Sequence, residues 1–130
     1  MIDKLAWIEL KNKSILSTRS KGKDKYYIPG GKRETGENDE QALLREIKEE
    51  LNVDLVPGTL DFFGIFLAQA HSHPEGTMVQ MTCYTATYSG QLKACSEIEE
   101  FVWLRYADRE HIAEVDKIIF DHLKAGELLE

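Results

Sequence analysis

The stretch that decides how this chain is read runs from residue 31 to residue 53: Gly31-Lys32-Arg33-Glu34-Thr35-Gly36-Glu37-Asn38-Asp39-Glu40-Gln41-Ala42-Leu43-Leu44-Arg45-Glu46-Ile47-Lys48-Glu49-Glu50-Leu51-Asn52-Val53. Its centre predicts a helix over Asp39–Leu51. Asn38 is a good N-cap, and Gln41 three residues on completes a capping-box pattern. Asp39 and Glu40 suit the positive end of the helix dipole. Asn52 tolerates the left-handed conformation that closes a helix. At about 100° per residue, Leu43, Leu44, Ile47 and Leu51 form an apolar arc. Glu46, Glu49 and Glu50 gather on an adjacent arc that also takes Ala42, with Arg45 at its edge.

Like charges three and four residues apart destabilise a helix by a few tenths of a kcal/mol per pair. A divalent cation turns that repulsion into binding, and Mg²⁺ favours one or two carboxylates together with substrate phosphates. The whole chain carries a formal charge of −7. That balance argues against nucleic acid or an anionic membrane as partner. A phosphate-bearing ligand therefore needs a local basic patch or a bound cation. The competing reading of the arc is a solvated acidic helix face.

The flanking residues decide between the two. Gly31, Glu37, Arg45-Glu46-Ile47, Glu49-Glu50 and Val53 resemble the Nudix box, G-x5-E-x7-R-E-U-x-E-E-x-G-U, with U aliphatic. Only the second glycine differs, and there Asn52 is the least disruptive replacement at positive φ. A chance match is on the order of one in a million at ordinary residue frequencies, which outweighs the solvated-face reading.

The resemblance implies an α/β/α sandwich with a mixed sheet and a central metal-binding helix. It implies Mg²⁺, with Mn²⁺ as a substitute, and hydrolysis of a nucleoside diphosphate linked to another moiety. Glu46, Glu49 and Glu50 match the metal-ligand glutamates, and Glu46 is also a candidate base for the attacking water. The Gly30 carbonyl matches a further metal contact. Glu37 and Arg45 match positions that brace the loop against the helix, and Gly31 lets the backbone come close. Glu97, six residues before Trp103, lies where some relatives supply another ligand or base, with Glu99 and Glu100 as competitors. Arg19 and Lys32 lie where relatives contact phosphate.

Outside the box, strands are expected at 5–10, Ser14–Ser20, Tyr26-Tyr27-Ile28, 53–56, 60–69, 78–88 and 101–104. Turns are expected at Asn12-Lys13, Pro29-Gly30-Gly31, Pro57-Gly58 and Ser89-Gly90. The segment 21–25 is a polar loop. Ile112, Val115, Ile118, Ile119 and Leu123 recur at helical spacing and predict a tail helix over about 109–125. The loop 70–76 carries His71, Ser72 and His73, which lack partners for a metal site but could form a lid or contact a base. Trp7, Tyr26, Tyr27 and Phe66 could stack on a nucleobase, although packing is the simpler use of each.

At 130 residues with 42% hydrophobic content, one domain with its own core is expected over 1–130. Cys83 and Cys95 lack zinc-site spacing and are expected to be free thiols in a cytoplasmic setting. No signal peptide or membrane span is evident. A monomer or homodimer is expected. The stretch 66–72 lacks the Pro or Tyr that relatives specific for ADP-ribose or dinucleoside polyphosphates often carry past the box. That tilts the reading toward a nucleoside triphosphate, ordinary or oxidised, cleaved to monophosphate and pyrophosphate. The alternatives are an ADP-ribose or nucleotide-sugar pyrophosphatase, and a non-catalytic nucleotide-binding regulator.

Overall fold

The computed structural model describes residues 1–69 and 74–130. Its elements run β1 (Ile2–Trp7), β2 (Leu10–Lys11), β3 (Ser14–Ser20), β4 (Gly30–Gly31), α1 (Asp39–Leu51), β5 (Asp54–Leu55), β6 (Asp61–Gln69), β7 (Met78–Thr85), β8 (Tyr88–Ser89), β9 (Ile98–Leu104), a 3-10 helix (Tyr106–His111) and α2 (Glu114–Ala125). One sheet has the order β4-β1-β7-β6, with β1 and β7 parallel and the other neighbours antiparallel. A second joins β2-β3-β9, and β5 pairs with β8.

Side-chain alternation along β1 divides the interior into two cores. Leu5 and Trp7 pack with Leu43, Ile47 and Leu51 of α1. Ala6 and Ile8 face the other way, toward Ile119, Phe120 and Leu123 of α2. Each helix thus buries its apolar stripe against one face of the β-structure. This is the α/β/α arrangement with a mixed sheet that the sequence implied.

Helix α1 starts and stops where its caps dictate. Asn38 Oδ1 accepts from the Gln41 backbone N–H at 2.8 Å, and the Asn38 N–H donates to Gln41 Oε1 at 3.0 Å. Asn52 closes the helix at φ 59. Ala42, between Glu49 and Glu46 on the glutamate arc, is fully buried and packs with the α1 core.

Several other boundaries differ from expectation. Tyr26 and Tyr27 form isolated bridges to Ile112 and Thr18, and the expected strand at 26–28 is absent. Instead Gly30–Gly31 pairs with β1. The long strand expected at 78–88 divides, because Tyr88–Ser89 leaves β7 to pair with β5. Strand β9 begins at Ile98, three residues earlier than expected. The tail helix begins at Glu114, since Ile112 and Ala113 are extended. His71, Ser72 and His73 lie outside the described residues. Both cysteines are free.

Helix α2 also carries a charge into the interior. Asp116 is fully buried, with Oδ2 accepting the Ile28 N–H at 2.8 Å and Oδ1 without a partner. Burial raises its carboxyl from 3.8 to about 7, against the opposing pull of the Ile28 N–H and of Lys4. A folded-state pKa raised in this way gives stability that is complete below the unfolded value and is lost as pH rises through about 7. The loss amounts to up to about 4 kcal/mol. Thermal unfolding midpoints should therefore fall between about pH 5 and about pH 8 in the wild type, and by clearly less in Asp116→Asn. Equal falls in the two proteins would show that Asp116 does not drive the dependence.

Candidate active site

Strand β4 and helix α1 form the site together. Pairing with β1 fixes the Gly30-Gly31 backbone. The α1 glutamates then reach that backbone from the side. Gly30 N–H donates to Glu50 Oε1 at 3.3 Å. A Cβ at Gly31 would stand 2.5 Å from the Glu46 carboxyl carbon, so the missing side chain is the space that Glu46 occupies. Glu50 is only 8% exposed. Glu49, on the same arc, is mostly open to solvent.

The electrostatics record this crowding. Burial pushes Glu50 up to about 8, helped by Glu46, Glu97 and Glu49, while the Gly30 N–H pulls the other way. Burial also raises Glu46, opposed by Arg45 and reinforced by Glu49 and Glu97. The loop before β9 that carries Glu97 is tied to the end of α1, with the Cys95 N–H donating to the Glu50 carbonyl at 2.9 Å and Ser96 Oγ donating to the Glu49 carbonyl at 3.2 Å. The Glu97 charge adds to the rise of both glutamates. The cluster is rich in carboxylate and short of positive charge.

Arg45 holds the box loop to the helix. Its Nε and Nη2 grip Glu37 Oε2 and Oε1 at 2.7 and 2.8 Å, a bidentate pair. Its Nη1 reaches Glu46 Oε1 at 2.8 Å, and Nη2 also donates to the Lys32 carbonyl at 3.1 Å. Glu37 Oε1 further accepts from the Glu34 N–H at 2.7 Å. The Arg45 hydrogen bonds, then the Glu34 N–H, hold the Glu37 carboxyl down at about 2. These contacts tie the loop that carries Lys32 and Glu37 to α1.

The phosphate candidates divide. Lys32 follows Gly31 directly and is exposed. Arg19 is engaged across the β3–β9 pair, with Nε and Nη2 on Glu100 Oε2 at 3.0 and 2.7 Å and Nη1 on the Lys23 carbonyl at 3.2 Å. Glu100 thus faces Arg19 rather than the glutamate arc. Among the aromatic candidates, Trp7 is fully buried in the α1 core, and Tyr26 and Phe66 pack against the α2 core. Tyr27 lines a cleft of about 820 Å³ that also includes Glu50, Gly30 and Lys4. Its size suits a nucleotide-scale ligand. Lys4 was not singled out in the sequence.

A sequence profile of the NUDIX domain matches residues 5–123. The chain belongs to the Nudix family. An ADP-ribose pyrophosphatase of Methanocaldococcus jannaschii is 31% identical over 119 residues, covering 90% of this chain and 65% of that protein. This Nudix chain therefore spans less than two-thirds, 65%, of the length of that curated relative. The solution structure of the E. coli ORF135 protein superposes with a TM-score of 0.74 at 23% identity, covering 97% of this chain and 92% of that one. The MutT protein of Methanosarcina mazei Go1 superposes with a TM-score of 0.76 at 19% identity, covering 97% and 94%. At such identities these structures establish the Nudix fold alone. Among the described residues, no helix is long and apolar enough to cross a membrane.

The Nudix resemblance implies a divalent cation, and the residues present can be tested against it. Among the described residues, no three His, Cys, Asp or Glu side chains form a ready-made cage. Glu46 leans on Arg45 and Glu50 on the Gly30 N–H. The donor chemistry nevertheless fits a hard cation: carboxylate oxygens on one helix arc, one of them raised by burial and then by its carboxylate neighbours.

Proposed function

We propose that this chain is a divalent-cation-dependent hydrolase of a nucleoside-diphosphate-linked substrate, with a nucleoside triphosphate, ordinary or oxidised, cleaved to monophosphate and pyrophosphate. The observation that carries the reading is that Glu46 and Glu50 press against the Gly30-Gly31 backbone, with Glu50 and Gly30 in the wall of a nucleotide-sized cleft and Glu49 one position before Glu50 on the same helix. Glu46, Glu49 and Glu50, with Glu97 and the Gly30 carbonyl, would hold Mg²⁺ or Mn²⁺. The cation would offset charge on the diphosphate and acidify a bound water. The chain's own part is to place these groups and to accept the water's proton on a carboxylate, with Glu46 or Glu97 as the base. Glu37 and Arg45 keep the box loop seated so that Glu46 stays aimed. Lys32 stands at the end of β4 to meet a phosphate.

A second reading has its own support. The curated relative is an ADP-ribose pyrophosphatase, which favours a diphosphate linking adenosine to a sugar. The non-catalytic alternative is disfavoured, because every carboxylate of the box is retained. A panel of nucleoside triphosphates, ADP-ribose and nucleotide sugars with Mg²⁺, read as released pyrophosphate or monophosphate, separates the three. Turnover of a triphosphate supports the first reading and turnover of ADP-ribose the second. A flat panel with folded protein supports the regulator.

A further inference from the structure

Lys4 lies on β1, on the side that faces α2, and its side chain lines the same cleft as Glu50 and Gly30. It is half-buried, and its ammonium rests over the Tyr27 ring at 5.8 Å from the centroid. Among the described residues it has no hydrogen-bond or salt-bridge partner. A partly desolvated ammonium without a carboxylate in contact is a costly arrangement, and an anionic ligand offsets that cost. Glu46, Glu50 and Asp116 act on it from a distance, and Lys32 repels it. Leu5 pairs with Gly31 across the antiparallel β1–β4 ladder, which brings the neighbouring residues Lys4 and Lys32 close together. Lys23 lines the same cleft.

We propose that Lys4 binds a phosphate oxygen of the substrate's diphosphate, in the cleft that Glu50 and Gly30 also line. This assignment rests on the diphosphate reading above and makes Lys4 a substrate-binding residue. Cation–carboxylate contacts would hold the diphosphate from the α1 side, and the Lys4 ammonium would hold it from β1. The Tyr27 ring beside Lys4 restricts where the ammonium can go, so less is lost in ordering it.

The test is the affinity of the wild type, Lys4→Met and Lys4→Arg for α,β-methylene-ADP and α,β-methylene-ATP with Mg²⁺, by calorimetry. Lys4→Met should weaken both analogues at least about tenfold, as expected for a lost hydrogen bond to a charged group, and Lys4→Arg should recover most of the loss. A loss confined to the triphosphate analogue would put Lys4 on the third phosphate and overturn the assignment. Unchanged affinity in Lys4→Met overturns the role of Lys4 alone. No Mg²⁺-dependent binding to the wild type overturns the diphosphate reading and the assignment with it. If Lys4→Met does not fold, acetic anhydride labelling of the wild type gives the answer. Lys4 should be protected by α,β-methylene-ADP with Mg²⁺ while exposed Lys124 is not, and equal labelling of Lys4 with and without the analogue rejects the proposal.

Discussion

Glu50→Gln should lose turnover roughly 10³-fold and at the same time become no less stable. Glutamine keeps the shape and the oxygen that accepts the Gly30 N–H. It removes a charge that burial and three neighbouring glutamates oppose. Without added cation, the unfolding midpoint of the variant should equal or exceed that of the wild type. Sites built for a ligand commonly show this opposition between stability and function. Glu49→Gln should lose turnover too, but with little change in stability, because Glu49 is largely solvated. The measurements are steady-state turnover with Mg²⁺ on the best substrate of the panel and thermal denaturation of each variant. Normal Mg²⁺-dependent turnover in both variants would sink the assignment of the arc.

The largest expected effect on folding is at Gly30. Its φ is +151, a conformation that residues with a Cβ rarely adopt, and a Cβ built there would stand 1.9 Å from the Leu5 carbonyl oxygen. The clash is with the β1 backbone, not with a side chain that can swing away. Gly30→Ala must therefore separate β4 from β1 or distort both, at a cost of about 3 to 5 kcal/mol. That is a large share of the roughly 5 to 15 kcal/mol that holds a domain folded. It corresponds to a midpoint lowered by about 10 to 20 °C. Gly22→Ala is the control. Gly22 also has positive φ, +78, but a Cβ there meets nothing within 4 Å. Only the strain of the left-handed conformation remains, about 1 kcal/mol. Similar midpoints for the two variants would contradict this account of the close approach. Gly31→Ala falls between them, because there the Cβ meets the movable Glu46 carboxylate. It should cost activity more than stability.

The elements that were legible in the sequence are those whose signals are local. Helix α1 carries its own start and stop in Asn38, Gln41 and Asn52, and it forms as read. The contact of Arg45 with Glu37 was implied by the resemblance to the Nudix box, whose residues lie close together in sequence. The parts that were missed depend on distant chain. Strand β9 starts at Ile98 because β3 supplies its partner, and the charges of Glu99 and Glu100 hid that from composition. Glu100 could not be assigned to Arg19 without the cross-strand register, since the two are 81 positions apart. Lys4 escaped notice because a single lysine at the start of a strand carries no motif. Its placement depends on β1 lying between β4 and β7.

The central claim is that the α1 carboxylates bind a divalent cation, and the most direct test is to titrate the protein with Mn²⁺ and follow the free ion by electron paramagnetic resonance. The wild type should bind Mn²⁺, Mg²⁺ should compete for it, and Glu50→Gln should weaken binding at least about tenfold, in line with the loss of a charged oxygen donor. Equal Mn²⁺ binding by the wild type and a Glu46→Gln, Glu49→Gln, Glu50→Gln triple variant would contradict the account.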